Sequence, residues 1–455
     1  MNTLIIFLIS AIAVVLLNTI FNKSDKAVGE NTLKALSVLL CILGIFRYFL
    51  SDAFVETVVG GADVWQSLLR WGYHIGYAVL PISVFFSSRL FRNIASCFSL
   101  PISILCALFY DSTFAYFVAE GAGGYYINEH LRHFAYTLEL VIAIIIPILM
   151  QLRYKHVISL KGAKEPLLTL GITALILIQM MPSYIPNSLI AKFEIGTGMF
   201  GGLHLLWLGS LVAEIVLLHF IFRKRSNEDK YLLLVFLVIA QVMHTTSPMI
   251  RGFTFSRLPL QLCNIAAFFY LYMIIKKDRR VYDFCYLANM VGAAIAMVLV
   301  DFSSEALSFW NLHYIYEHSF VVMVPVLCYT LGIFPRLDKS AIKHMLGYFS
   351  IYFGFIFVFG TIVNGLDKTP DFFPVNHFYM FNPEVAVDYL PFVGFTGLVH
   401  WELGDFEIYP LLVLTIFVVF TLLNILFYFI TRGIYRLYDS IKGRDEEREL
   451  VTTAK

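Results

Sequence analysis

Stretches of about 20 nearly uninterrupted apolar residues recur along this chain, starting with "NTLIIFLISAIAVVLLNTIF" at residues 2–21. A helix of about that length crosses the hydrocarbon core of a bilayer while bonding all of its own backbone polar groups. The 455 residues are 59% hydrophobic and 14% charged, more apolar than a water-soluble domain of this size requires. The sequence therefore predicts an all-α polytopic membrane protein. A net charge of +1 and the lack of a long basic block point away from nucleic acid as a partner.

Hydropathy predicts 13 spans, at 4–22, 34–52, 67–90, 95–118, 132–152, 166–184, 202–222, 231–247, 258–275, 283–301, 317–335, 344–365 and 409–431. No basic residue precedes the first apolar run, which reads as a retained span rather than a signal peptide. Lys and Arg gather in alternate loops, among them "RYKHVISLKGAK", "RKRSNEDK", "KKDRR", "PRLDKSAIK" and the tail "RGIYRLYDSIKGRDEERE". The intervening loops, such as "DAFVETVVGGADVWQ", are neutral or acidic. The positive-inside rule then puts the N-terminus outside and the C-terminus in the cytoplasm of a multi-pass cell-membrane protein. Arg251 and Arg257 fall on the outer side, where they either meet an anionic ligand or snorkel to lipid phosphates.

The halves echo one another. "RWGYHIGYAVLPISVFFSSRLFRN" (70–93) aligns with "RLPLQLCNIAAFFYLYMIIKKDRR" (257–280), placing Arg70 over Arg257 and His74 over Gln261. Farther on, His133 aligns with His318. Two six-helix repeats of even span number point the same way, as parallel repeats do, with one extra C-terminal helix. The domains expected are a degenerate first repeat (1–197), a second repeat plus final helix (198–432) and a charged cytoplasmic tail (433–455).

Nine of the 12 histidines fall on the outer side: His74, His130, His133, His204, His244, His313, His318, His377 and His400. Histidines at the rim or inside of a bundle are costly without a partner or a task, so chemistry is expected in the outer half. Cys263 belongs there, six residues past Arg257 and about 9 Å farther along a continuous helix. Taken alone, Cys263 reads as a small packing residue and His318 as a helix-start residue beside Glu317. Taken together they are a thiol and the base that would make it a nucleophile. The six cysteines show no C-x-x-C pairing, so neither a disulfide framework nor a zinc site is indicated, and no metal or cofactor is expected at the candidate site.

Four stretches carry a family resemblance: "GGLHLLWL" (201–208), "LPLQLCN" (258–264), "YEHSFVV" (316–322) and "HFYMFNPE" (377–384). In this order they resemble the YwaF-type bacterial integral membrane family over about residues 198–432. That family is similar to a eukaryotic transmembrane acyltransferase that remodels ether phospholipids with a cysteine and a histidine. The resemblance implies that Cys263 is the acyl-accepting nucleophile and His318 its general base and acid, with membrane phospholipids or lysolipids as partners. This chain departs from the family pattern at Gln261, where bacterial members usually carry histidine, and the first repeat has Gly76 opposite Cys263 but keeps His74 and His133 as a pseudo-site.

An outward-facing site suits a phospholipid donor better than a charged cytoplasmic thioester. The mechanism expected is transacylation, with Arg257, Gln261, Asn264, His313, Glu317, His377 and Asn382 as candidates for binding lipid or an oxyanion. The long outer loop 366–408 is either a cover for that site or packing over the bundle mouth. Two other readings stand beside this one: a lipid or small-molecule transporter or flippase built from two six-helix repeats, and a histidine-ligated metal or haem membrane protein.

Overall fold

The computed structural model describes residues 2–50, 64–117, 129–154, 167–171, 196–246, 255, 258–300, 309–366, 375–383, 391–403 and 406–453. The helices are α1 (Asn2–Lys23), α2 (Lys26–Leu50), α3 (Val64–Phe85), α4 (Arg89–Leu108), α5 (Tyr110–Phe117), α6 (Glu129–Tyr154) and α7 (Gly202–Phe222). They continue with α8 (Asn227–Thr246), α9 (Leu262–Lys276), α10 (Arg279–Val298), α11 (Phe309–Thr330), α12 (Ser340–Leu366) and α13 (Pro410–Thr453). A 3-10 helix at Pro391–Leu398 and a hairpin of β1 (Trp401–Leu403) and β2 (Phe406–Ile408) lie between α12 and α13.

Among the described residues eight helices are long and apolar enough to cross a membrane: α1, α2, α4, α6, α7, α10, α12 and α13. The protein is thus a multi-pass membrane protein, helical among the described residues apart from one short hairpin. Leu4, Leu206, Ile351 and Leu422 are all more than half exposed, as side chains turned to lipid are.

The chain forms two compact units. One comprises Met1–Thr254 with Met297–Ile333, the other Phe255–Ala296 with Phe334–Lys455. In the first, α6 packs against α1, α2 and α3, while α11 packs against α7 and α8. In the second, α12 packs on the first turns of α10 and on α13.

Several boundaries differ from the hydropathy reading, three of them for a local reason. The helix expected from 258 begins at Leu262, because Leu258 precedes Pro259 and is biased away from the α region. The chain bends there, with Leu260 N bonded to Leu258 O (2.7 Å) and the Tyr352 hydroxyl donating to Leu260 O (2.8 Å). The span expected from 317 begins at Phe309, since Asn311, His313 and Glu317 lower hydropathy without interrupting the backbone ladder. The span expected at 95–118 breaks at Phe109 between α4 and α5, where the backbone leaves helical geometry (ψ 38°) and the Thr113 hydroxyl bonds the freed Cys106 carbonyl (3.0 Å). The final helix runs unbroken through most of the charged tail. The expected span at 166–184 lies mostly outside the described residues.

Two features have no hydropathy signature. α4 and α10 each contain a five-residue π-helical turn, at Ala95–Ser99 and Cys285–Asn289. Each turn follows a six-residue α segment capped by a side-chain oxygen, Ser88 or Asp278, and each precedes nine α-helical residues.

Candidate functional site

In the second unit Cys263 is the second residue of α9 and is half-buried. Its depth is therefore counted from Leu262 and not from Arg257, which lies outside the described residues along with Arg251. The thiol donates to Asn264 Oδ1 (3.1 Å). First-turn N–H groups of a helix have no intrahelical acceptor, so Cys263 sits at the positive end of the α9 dipole.

Gln261 occupies the N-cap of α9 but does not cap it. Its Oε1 accepts from the Phe378 backbone N–H (2.7 Å), and its Nε2 donates to the Asn376 carbonyl (3.4 Å). The side chain thereby ties the start of the cysteine helix to the stretch 375–383. Two more devices hold that stretch. Asn364 on α12 exchanges bonds with Val375 in both directions (2.8 and 2.9 Å), and Asn376 Oδ1 accepts from Phe381 N (3.0 Å).

The backbone so held is strained. Phe378 and Tyr379 both have positive φ (59° and 58°), a region that bulky side chains avoid. Phe378 packs edge-on against Phe420 and Tyr352, so its side chain is committed to this geometry. His377 is 3% exposed, stacks on Phe359, and leaves Nε2 without a partner among the described residues. A bond to the Phe255 backbone therefore falls to Nδ1. Burial pushes the His377 imidazole down to about 4, against the opposing pull of that bond, so it is neutral at physiological pH. Asn382 is half-buried at the far end of the stretch.

The other polar constellation lies in the first unit. His318 is near the middle of α11, nine residues past its first and about 13 Å along its axis, not at a helix start. Its Nδ1 is 2.7 Å from the Tyr314 carbonyl, with the Tyr314 ring 4.0 Å from the imidazole. A carbonyl only accepts, so Nδ1 carries the proton and Nε2 presents a lone pair. One residue earlier, Glu317 is 3% exposed; Thr245 on α8 donates to its Oε1 (2.7 Å), and His313 Nε2 lies 3.8 Å from Oε2. Gln241, one turn before Thr245 on α8, is fully buried with both amide atoms unpartnered among the described residues.

His204, in the first of the quoted motifs, is structural. It accepts from Phe200 N at Nδ1 (2.9 Å), so Nε2 donates to the Met297 carbonyl (2.7 Å). In the first half, His133 Nδ1 pairs with the Tyr110 hydroxyl (2.9 Å), and Tyr73 donates to the buried Glu139 (3.0 Å). The His74 side chain lies outside the described residues. Among the described residues no three His, Cys, Asp or Glu converge as metal ligands would.

The candidate residues thus fall into two groups. Cys263, Gln261, Asn264, His377 and Asn382 belong to one compact unit, and His313, Glu317 and His318 to the other. Sequence reasoning did not single out Gln241, Thr245, Tyr352 or Asn364. Of these, only the polar pair Gln241 and Thr245, one turn apart within an apolar span, carried a signal.

No curated protein and no solved structure matches this chain. A family model does match, over residues 199–433, from just before α7 into α13, and the matched region contains both Cys263 and His318. That region is more than half of the sequence, so the chain belongs to the TMEM164 family.

Proposed function

We propose that this protein is a membrane acyltransferase that moves a fatty acyl chain between lipids through a thioester on Cys263. The observation that carries the reading is the fixed tautomer of His318: with Nδ1–H committed to Tyr314 O, Nε2 is left to take a proton. Two further features support it. Cys263 stands in the first turn of a helix, where the dipole favours a negative charge. The motifs around Cys263, His318 and His377 are those on which the resemblance to YwaF-type proteins and to the ether-phospholipid acyltransferases rests.

In the first step His318 Nε2 takes the thiol proton and the thiolate attacks the ester carbonyl of a phospholipid. The lysophospholipid oxygen leaves and takes the proton from the imidazolium, and the acyl chain stays on sulfur. In the second step a hydroxyl or amine of an acceptor lipid attacks the thioester, giving its proton to His318 as the thiolate leaves. Asn264 and Gln261 are the side-chain amides nearest the sulfur in sequence. Gln261 is already committed to Asn376 and Phe378, which assigns it to shaping the site rather than to the oxyanion.

The reading includes an internal duplication. Segments of six, five and nine residues recur around the π turns at an offset of 190 residues, and the same offset relates the contact of Gly72 with Ile102 to that of Leu262 with Gly292. It sets Tyr73, not Gly76, as the counterpart of Cys263. On α6 and α11, Tyr136, Glu139 and Pro147 fall over Tyr314, Glu317 and Pro325 without a gap, replacing the register of His133 over His318. The more polar or shorter helices α3, α8, α9 and α11, with the segment 166–184, complete 13 spans with the N-terminus outside, in a bacterial plasma membrane.

Lipid profiling of cells carrying Cys263→Ala or His318→Ala tests the reading. Loss of a specific acyl species in both variants supports it, and a wild-type profile in both refutes it. A transporter or flippase would tolerate Cys263→Ala.

A further inference from the structure

The segment between α12 and α13 carries a surface that the proposed chemistry does not use. In the 3-10 helix Pro391–Leu398 and the hairpin after it, Phe395 is 54%, Leu398 81%, Val399 46% and Trp401 62% exposed. These residues form a cluster on one short stretch, whereas single exposed apolar side chains on a protein surface need no explanation.

The hairpin has two chemically different faces. Strand register pairs Trp401 with Ile408 on one side, where Phe406 also falls, and Glu402 with Glu407 on the other. Directly opposed carboxylates repel unless both stand in water. Glu402 and Glu407 are both exposed, so the face with Trp401 is the apolar one. Part of it is already covered: Ile408 is buried, and the Phe406 ring lies 5.7 Å from Phe381. Among the described residues, Trp401 and the exposed 3-10 side chains remain without cover.

Position in the fold identifies what covers them. The 3-10 helix packs against α13, and β2 ends two residues before α13 begins. The first turns of α13 expose Leu414, the start of an apolar face that continues through Val418 and Leu422. The apolar cluster is thus continuous with a surface that faces acyl chains. A tryptophan at the rim of such a surface has the position and chemistry of a headgroup-level anchor.

We propose that residues 391–403 and 406–408 form an amphipathic wedge set into the outer leaflet of the bilayer. Leu398 and Phe395 lie among acyl chains, Trp401 lies at the headgroup boundary, and Glu402 and Glu407 face water. The wedge joins the membrane to the strained stretch 375–383 through Phe406 and Phe381, and from there to Gln261 at the start of the cysteine helix. Lipid seating on this wedge is independent of whether Cys263 is acylated.

The experiment uses the full-length chain in nanodiscs whose phosphatidylcholine carries bromine either near the glycerol or deep in the chain. Subtracting the emission of Trp401→Phe from that of the wild type isolates Trp401. The expected result is strong loss of that emission with shallow bromine, weaker loss with deep bromine, and little loss with aqueous iodide. A second reporter, Leu398→Trp in the Trp401→Phe background, is expected to shift the preference toward deep bromine. Iodide quenching of Trp401 without bromine quenching overturns the proposal. Protection from both quenchers overturns it equally, because the face would then be covered by protein.

Discussion

Replacing Gln261 with alanine isolates the tie between the cysteine helix and the strained stretch 375–383. The amide makes two bonds, of which the one to Phe378 N (2.7 Å) is the stronger and holds a residue with positive φ. Phe378 is buried, so Gln261→Ala leaves its N–H without an acceptor, at a cost of about 1–3 kcal/mol. That free energy weighs on the local opening of 375–383, because Asn364 and Asn376 still hold the ends. An opening constant about 5–150 times larger follows from the same range. Hydrogen–deuterium exchange on a peptide covering 375–383, in protein reconstituted in nanodiscs, reads this directly. Gln261→Glu keeps an acceptor for Phe378 N and is expected to recover most of the protection, whereas its lost donor to Asn376 leaves a smaller residual. Equal exchange in wild type and Gln261→Ala would refute the reasoning, and Gln261 would then be a passive N-cap residue.

Other outcomes follow from the same geometry. His377 is held neutral by burial, with its folded value near 4 below the ordinary value of about 6.5, so lowering pH makes the unfolded or opened form bind more protons. Its stabilising contribution is complete above about pH 6.5 and falls by up to about 3 kcal/mol toward pH 4; exchange of 375–383 should rise over that window, and His377→Gln should flatten the rise. Thr245→Val removes the hydroxyl donor to the buried Glu317 carboxylate and is expected to cost about 1–3 kcal/mol by thermal unfolding, with Thr245→Ser close to wild type. Asp283→Asn should cost about 3–5 kcal/mol, because this fully buried carboxylate accepts from both Arg279 (2.6 Å) and His344 (2.8 Å).

The helical, multi-pass membrane class was legible in the hydropathy pattern. Residues 202–222 were delimited as found, and the matched family region differs by one residue at each end from the 198–432 span drawn from the motifs. The errors share a physical origin. Hydropathy records which side chains prefer lipid, whereas a helix requires only that its backbone be bonded. α11 therefore starts eight residues earlier than its apolar run, its Glu317 made tolerable by Thr245 on a neighbouring helix. Pro259 ended a helix that apolarity alone would extend. The π turns are a matter of backbone register and leave no mark on composition. For the site, cysteine and histidine were visible as residue types, but the devices that prepare them were not. Gln261 reaching Phe378, Tyr352 reaching Leu260 and Asn364 clasping Val375 join positions 11 to 117 residues apart.

In the proposed reaction, sulfur at position 263 carries an acyl group during turnover. Purified full-length protein, reconstituted with phosphatidylcholine bearing an isotopically labelled acyl chain and then digested, can be read by mass spectrometry for acylation of the Cys263 peptide. The expected result is a labelled acyl adduct on that peptide, removed by neutral hydroxylamine and absent from Cys263→Ala, with its formation strongly slowed in His318→Ala. A Cys263 peptide that stays unmodified while lipid acyl chains still exchange would contradict it.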